Sequence, residues 1–196
     1  MKRTFDFFFS LLGLIVLAPI LFLTFIFVKV SSKGHGFYVQ SRVGRNNTDF
    51  DIVKFRTMNE GASKFGLLTI GDKDPRITRI GYYLRKFKLD ELPQLINVIK
   101  GDMSFVGPRP ELRKYVNLYT KEQLKVLDVR PGITDLASIV YRNESQILAQ
   151  QECPERYYRD VILLSKISIN LKYLENRNLI KDFLVIFKTI KAVLLN

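Results

Sequence analysis

Residues 89–111 read LDELPQLINVIKGDMSFVGPRPE, and this stretch predicts both a helix and a charged site. Asp90 is a good N-cap and Pro93 is tolerated in a first turn, so we expect a helix that begins near Asp90 and stops at Gly101. The positions expected to be buried on this helix are Leu92, Leu95, Ile96 and Ile99. The stretch then ends in a Gly-Pro-Arg-Pro turn around Arg109.

Two adjacent carboxylates, Asp90 and Glu91, follow the basic run Arg85-Lys86-Phe87-Lys88 after a single residue, Leu89. Acids at a helix N-terminus are often only caps, favoured by the helix dipole by about 0.3–1 kcal/mol, and that interpretation remains open. Acids beside clustered cations are also what a metal ion and a diphosphate need. A carboxylate can act as a nucleophile at phosphorus, and since helix neighbours face different ways, one acid can attack while the other assists.

Arg109 is the cation with the most constrained surroundings, because Pro108 and Pro110 restrict the backbone on both sides of it. A restricted arginine suits a preorganised bidentate contact to phosphate. Arg85 and Arg142 are further candidates for phosphate binding, although an arginine taken alone is more often a solvated surface charge.

The composition limits the chemistry and the partners of the chain. Its 196 residues fit a single domain, and its formal charge of +12 favours anionic partners: nucleic acid, phosphorylated small molecules or an anionic membrane. No zinc knuckle, basic helix-turn-helix or aromatic ribonucleoprotein motif supports nucleic acid. With Cys153 and His35 as the only cysteine and histidine, we expect no disulfide and no cysteine zinc site. Metal binding must use oxygen ligands, so Mg²⁺ or Mn²⁺ is the expected class.

An uncharged apolar run from Phe7 to Val28 predicts a membrane element, since about 20 apolar residues span a bilayer. The run is long for a signal peptide, and no small-x-small cleavage site follows it. Pro19 removes a helix hydrogen bond near the middle, and basic residues flank both ends, which gives conflicting orientations for a spanning helix. A re-entrant helix–break–helix removes the conflict, so a straight span and a re-entrant form both remain open.

The rest of the chain predicts a mainly α fold with a small β-hairpin. Residues 37–58 indicate two strands around a polar turn, and residues 59–78 a loop. Helices are expected over residues 80–89, 111–127, 154–175 and 178–195. The last of these is basic and amphipathic, so it can lie on a membrane surface or pack on its own domain.

The residues resemble a known family, the small monotopic phosphoglycosyl transferases among the bacterial sugar transferases. The resemblance covers nearly the whole chain, and DELPQ, GDMS and GPRP in that order and spacing are very specific. The stretches that carry it are Ala18-Pro19, SRVGRN and VKFRTM between Arg42 and Met58, residues 84–111, DVRPGIT from Asp128 to Thr134, and Tyr141-Arg142-Asn143.

The resemblance implies a re-entrant membrane helix over residues 1–34, broken at Ala18-Pro19, and a catalytic domain with interfacial amphipathic helices over residues 35–196. It places this monotopic protein on the cytoplasmic face of a bacterial inner membrane. Asp90 is similar to the family's nucleophile, which takes a phospho-sugar from a UDP-sugar, releases UMP and passes the group to polyprenol (undecaprenyl) phosphate. Glu91 is similar to the acid that deprotonates or orients the lipid phosphate.

The expected cofactor is Mg²⁺, with Asp90 as its ligand. The residues on phosphate-binding or supporting positions are Lys54, Arg85, Arg109 and Arg142. The oligomeric state stays open, a homodimer included. A non-catalytic membrane scaffold would explain the charge and the anchor, but not DELPQ or GPRP.

The chain departs from the family pattern at three places. Where many members read GITGLAQ, it has Asp135 in place of the second glycine and Ser138 in place of the glutamine. Tyr141 begins the triplet that is often Gly-Arg-Asn, and Asn170 is aligned with the acid of a frequent Asp-Leu-Lys. These departures leave the two acids and GPRP intact, but no sugar preference carries over.

Overall fold

A computed structural model describes residues 2–194, and its fold is mainly helical with two small sheets. The ten helices and four strands of the described residues are α1 (Lys2–Ser31), β1 (Phe37–Val43), β2 (Asp49–Phe55), α2 (Arg79–Lys86), α3 (Leu95–Lys100), β3 (Ser104–Val106), α4 (Arg113–Val116), α5 (Lys121–Leu124), β4 (Gly132–Thr134), α6 (Leu136–Val140), α7 (Glu144–Ala149), α8 (Pro154–Tyr157), α9 (Leu163–Glu175) and α10 (Leu179–Leu194). The short 3₁₀ segments are Arg45–Asn47, Ala62–Phe65, Leu89–Gln94 and Lys125–Leu127, and Tyr158–Ile162 forms a π turn.

Helix α1 is a single helix, and Pro19 lies inside it. The helix assignment of the described backbone runs through Ala18-Pro19 without interruption, and a break or bend at these two residues stays a prediction. A proline removes one hydrogen bond and crowds the preceding turn, yet the bonds on either side can carry the helix through. Among the described residues, α1 is the one helix long and apolar enough to cross a membrane. Its re-entrant course stays a prediction.

One face of α1 packs along the rest of the chain, while the opposite face is exposed. The buried positions are Asp6, Ser10, Thr24 and Val28. Val28 lies in a core cluster with Phe55 and Leu84, and a Cβ on Gly13 would lie 3.4 Å from Leu95 Cδ1. The side chains of the outer face are large and apolar, including Phe8, Leu12, Ile15, Phe22 and Phe27.

Strands β1 and β2 form the predicted hairpin, with Phe37 opposite Phe55 and Val43 opposite Asp49. Asn46 and Asn47 have positive φ in the turn, a conformation that asparagine tolerates better than most residues. The side chain of Asn97 on α3 holds the hairpin: its Nδ2 donates to Asp51 O at 2.7 Å, and its Oδ1 accepts Val53 N–H at 3.1 Å.

The prediction of a helix from Asp90 to Gly101 is confirmed at its C-terminal end and wrong at its N-terminal end. Gly101 ends α3 in the left-handed conformation, at φ 98. The first turns are instead a 3₁₀ helix from Leu89 to Gln94, preceded by Lys88 at φ 55. Because 3₁₀ and α turns differ in period, the buried face is shifted. Leu95 is buried as predicted, whereas the other buried positions are Pro93, Gln94, Asn97 and Val98, and Ile96 is exposed.

A second sheet, which the sequence did not predict, pairs β3 with β4 in parallel. It brings the Gly-Pro-Arg-Pro turn against residues 130–132, where Gly132 N donates to Pro108 O at 3.1 Å and Gly107 N donates to Thr134 O at 3.1 Å. A Cβ on Gly107 would lie 2.4 Å from Arg130 O, and one on Gly132 would lie 2.2 Å from Gly107 N. Both glycines are therefore required by the close approach of the two backbones.

The C-terminal helices confirm two of the predicted elements and correct a third. Residues 154–175 are helical throughout, with the π turn inside. Helix α10 covers the last predicted helix except Asn178, which precedes it, and Leu195, which lies outside the described residues. The helix predicted over residues 111–127 is instead broken into α4, α5 and a 3₁₀ turn, and Thr120 caps α5 through a capping box with Gln123. Helix α10 buries Asp182 and Val185 and leaves its apolar opposite face exposed.

Candidate active site

One cleft of about 710 Å³ contains all six residues that the sequence singled out for the site. It lies between the hairpin, the 3₁₀ segment, the Gly-Pro-Arg-Pro turn, residues 141–146 and α9. The predicted residues that line it are Lys54, Arg85, Asp90, Glu91, Arg109 and Arg142. The volume is in the range of small-molecule sites, so the cleft has room for a ligand such as a nucleotide sugar.

Glu91 is buried and held by Arg109. The guanidinium donates to both carboxylate oxygens, from Nη1 to Oε2 at 3.1 Å and from Nη2 to Oε1 at 2.5 Å. Lys54 Nζ lies 3.6 Å from Glu91 Oε1 on the other side. Burial alone would raise the pKa of the Glu91 carboxyl, but the charges of Arg109 and Lys54 outweigh it and hold that pKa well below its ordinary value.

Asp90 is equally buried but lacks such a partner. Its Oδ1 makes no hydrogen bond to any part of the chain within residues 2–194. Burial raises the pKa of the Asp90 carboxyl, and the negative charge of Glu91 raises it further. The two adjacent acids therefore differ: Glu91 is neutralised by cations, while Asp90 keeps an unpaired oxygen in the cleft wall.

Lys54 projects from β2 into the same site, opposite Tyr38 in the hairpin. Burial lowers the pKa of the Lys54 ammonium to about 8, although Glu91 acts in the opposite direction. A lysine with such a pKa changes charge in the range of mild alkaline buffers. The charge of this site therefore depends on pH just above neutrality.

Arg85 and Arg142 lie in the cleft with different partners. Arg85 donates from Nε to Thr57 Oγ1 and from Nη1 to Thr69 Oγ1, both at 2.8 Å. Arg142 Nη2 is buried and has no hydrogen-bond partner in the part of the chain that the structure describes. Arg142 is thus a buried donor that a bound acceptor group could satisfy, whereas two donors of Arg85 already bind the loop of residues 57–69.

A family profile described as bacterial sugar transferase matches residues 1–196. The chain belongs to the bacterial sugar transferase family. It is 35% identical, over 98% of its length, to the UDP-N-acetylgalactosamine-undecaprenyl-phosphate N-acetylgalactosaminephosphotransferase of Aeromonas hydrophila, of which it covers 43%. It is 36% identical, over its full length, to the exopolysaccharide production protein ExoY of Sinorhizobium fredii, of which it covers 86%.

A third relative is the undecaprenyl-phosphate galactose phosphotransferase of Salmonella typhimurium, 34% identical over 99% of the chain, which covers 40% of that protein. The chain therefore spans less than half of two of these relatives and most of ExoY. The names of these relatives specify N-acetylgalactosamine, galactose or no sugar at all. Family membership alone therefore does not identify the donor sugar.

This family member has a buried pair at the site that the sequence did not predict. Asp135 is almost fully buried, and its Oδ2 accepts the backbone N–H of Arg109 at 3.0 Å and Asn170 Nδ2 at 2.8 Å. Its Oδ1 accepts Ser138 N–H at 2.6 Å and so caps α6. Asp135 and Asn170 both lie where the chain departs from the family motifs GITGLAQ and Asp-Leu-Lys, and those departures could have singled them out. The sequence gives no indication that two residues 35 positions apart are in contact.

A second unpredicted network supports the hairpin. Arg42 Nη1 contacts Glu111 Oε1 at 3.3 Å, and Glu111 Oε2 accepts Tyr158 Oη–H at 2.5 Å. Tyr158 belongs to the π turn, which brings its hydroxyl to Glu111, the residue after the Gly-Pro-Arg-Pro turn. Arg42 and Glu111 lie within the stretches that carry the family resemblance, but the sequence shows no reason to pair them.

Proposed function

We propose that this protein transfers a sugar phosphate from a UDP-sugar to polyprenol phosphate of the undecaprenyl class, giving polyprenol-diphosphate-sugar and UMP. The observation that carries the proposal is the unpaired, buried carboxylate oxygen of Asp90 beside a Glu91 that Arg109 holds in place. The printed names of the Aeromonas and Salmonella relatives support the reaction class.

In the first step, a carboxylate oxygen of Asp90 attacks the β-phosphorus of the UDP-sugar. The bond from that phosphorus to the bridging oxygen breaks, and UMP leaves with the electron pair. The sugar phosphate is then held on Asp90 as an acyl phosphate. A carboxylate that lacks hydrogen bonds and has a raised pKa is more basic than an exposed one, and therefore a better nucleophile. The cations of Lys54, Arg109 and Arg142 offset the charge of the diphosphate.

In the second step, an oxygen of polyprenol phosphate attacks the same phosphorus. The bond to Asp90 breaks, the carboxylate is regenerated, and polyprenol-diphosphate-sugar is the product. Of the two roles expected for Glu91, orienting the lipid phosphate fits better than deprotonating it. The low pKa of Glu91 keeps it anionic and makes it a weak base, whereas its bidentate pair fixes the Arg109 guanidinium toward the cleft.

A magnesium ion fits Asp90 but no larger set of protein ligands. Across the described residues 2–194, no three histidine, cysteine or acidic side chains cluster as a metal site. Mg²⁺ usually keeps several waters and binds through one or two carboxylates together with substrate phosphates. The free Oδ1 of Asp90 suits that mode, and the ion would neutralise diphosphate charge.

We propose further that residues 1–34 form a membrane element in which α1 is re-entrant, and that the catalytic domain of residues 35–196 lies on the cytoplasmic face. The support for this placement is that both ends of α1 contact the same body. Arg3 donates to Ile99 O at 2.7 Å near the start, and Val28 packs with Phe55 near the end. A helix that crossed the bilayer would carry one end about 30 Å away from that body.

The test is to incubate the membrane-embedded protein with Mg²⁺, undecaprenyl phosphate and a panel of UDP-sugars, and to measure UMP. We expect release with at least one donor, and a labelled phospho-sugar adduct when the lipid is omitted. Asp90→Asn should abolish both, while Asp102→Asn, at the end of α3, should retain both. No UMP from any donor would favour the membrane scaffold, and an active Asp90→Asn variant would contradict the covalent step.

A further inference from the structure

An aromatic stack connects the membrane helix to the cleft. The ring of Phe37 lies 5.2 Å from that of Phe25 on α1 and 5.3 Å from that of Phe55 on β2, nearly parallel to the latter. Phe55 is fully buried, whereas Phe37 remains 41% exposed and lines the cleft. The Phe37 ring therefore packs against two rings, and part of its side chain remains exposed among the residues that line the cleft.

The chain makes room for this stack at Gly36. A Cβ at that position would lie 2.4 Å from Phe25 Cε2, so any larger residue would push the ring of Phe25 away. On the other side of Phe25 is the exposed face of α1, where Phe22 stands one turn earlier and is itself exposed. The aromatic contacts thus run from Phe25 on α1 to Phe37, and Phe22 adds exposed apolar surface one turn before Phe25.

The apolar surface ends at cations. Tyr38 follows Phe37 along β1 and pairs across the hairpin with Lys54, whose ammonium lies beside Glu91. Lys86 and Lys88 line the same cleft. An apolar approach that ends in buried or clustered positive charge is complementary to an amphiphile with an anionic head.

We propose that Phe37, stacked on Phe25 and Phe55, is the contact for the first isoprene units of the polyprenyl phosphate as its head enters the cleft from the lipid. This inference rests on the proposed function, because it specifies how the acceptor of that reaction reaches the site. Phe37 then acts as a binding residue for the acceptor alone, since the donor carries no comparable apolar chain.

The experiment compares wild type with Phe37→Ala in lipid nanodiscs, using binding of undecaprenyl phosphate and inhibition by ethyl phosphate, which has the head without the chain. We expect Phe37→Ala to weaken undecaprenyl phosphate binding by about three- to tenfold, because apolar contact area is lost. Ethyl phosphate inhibition and the KM for the UDP-sugar should stay within twofold. The matched control is Phe65→Ala, since Phe65 is 83% exposed and lies outside the cleft lining.

Unchanged lipid binding in Phe37→Ala, or an equal loss in Phe65→Ala, would overturn the inference. If Phe37→Ala disturbs the fold, Phe37→Leu keeps an apolar side chain and should show a smaller loss in the same direction. Wild-type lipid binding in Phe37→Leu together with a misfolded Phe37→Ala would also contradict it. Because binding is measured without turnover, lipid binding that depends on Phe37 with no UMP from any donor would reject the proposed function and retain the lipid contact.

Discussion

Asn170 Nδ2 donates a 2.8 Å hydrogen bond to Asp135 Oδ2, so an amide on α9 and an acid before α6 form a buried pair. The same carboxylate fixes the backbone of Arg109. Both positions depart from the motifs on which the family resemblance is based: this chain carries an acid at Asp135 and an amide at Asn170. In this chain the pair holds a single carboxylate, because a second one at position 170 would lie at hydrogen-bond distance from the first.

Asn170→Asp should therefore lower kcat/KM at pH 7.5 by at least tenfold. Two carboxylates at hydrogen-bond distance repel each other when both are ionised, so the pKa of one of them is raised. The contact with Arg109 is then intact below that raised pKa and is lost as pH rises through it, so activity should recover on acidification. The measurement is a pH profile of kcat/KM.

The compensating variant is Asp135→Asn combined with Asn170→Asp, which restores one acid and one amide. We expect it to regain most of the activity at pH 7.5, with no recovery on acidification beyond wild type. A loss in Asn170→Asp that is independent of pH, and that the double variant does not rescue, would show that the pair acts only through general packing.

Arg109→Lys should reduce kcat by about 100-fold with little change in thermal stability. A lysine keeps the charge but cannot donate to both oxygens of Glu91, so the positive group is no longer fixed toward the cleft. The matched control is Arg113→Lys, since Arg113 binds Asn47 and Asp49 on the surface. Equal activity in the two variants would argue against a role for the bidentate pair.

The lowered pKa of Lys54 predicts that the activity of the enzyme falls at alkaline pH. Its pKa of about 8 means that the ammonium is charged below that pH and neutral above it. If the charge binds the diphosphate, kcat/KM for the UDP-sugar falls as pH rises through about 8, approaching tenfold per pH unit.

Lys54→Arg tests this directly, because a guanidinium stays charged throughout the range. The alkaline limb, that is, the fall of kcat/KM with rising pH, should then move up by at least one pH unit, whatever the absolute rate. Lys64→Arg, on the loop outside the cleft lining, should leave the limb in place. A limb near pH 8 that persists in Lys54→Arg would assign it to another group.

Gly107→Ala should destabilise the protein by about 1–3 kcal/mol or more, because its Cβ would lie 2.4 Å from the carbonyl oxygen of Arg130. At this chain length the thermal midpoint should fall by several degrees. Activity should fall further than stability predicts, since the displaced turn carries Arg109. A Cβ at Gly61 would have no other atom within 4 Å. Gly61→Ala should therefore lose only about 1–2 kcal/mol of stability, from the positive φ at this position. A smaller loss of stability in Gly107→Ala than in Gly61→Ala would contradict the packing argument.

Local patterns in the sequence were sufficient for several elements. The apolar run of residues 7–28, the hairpin of residues 37–55 and the stop at Gly101 each depend on neighbours within a few positions. The six candidate site residues came from the motifs, and they line one cleft because those motifs belong to a single family fold. Pro19 shows the limit of local reasoning: a proline weakens a helix at one point, but the rest of the helix decides whether it continues.

Only the tertiary structure decided which charged residues of the site contact one another. The parallel pairing of β3 with β4 joins segments about 30 residues apart, and no short-range pattern encodes it. That pairing places Arg109 on Glu91 rather than Asp90, which leaves Asp90 Oδ1 without a hydrogen bond inside residues 2–194. The sequence by itself indicated that two acids and several cations belong to one site, in a chain with one long apolar segment. The difference between Asp90 and Glu91 follows from burial and charge pairing. Both depend on distances between residues that are set only when the chain is folded.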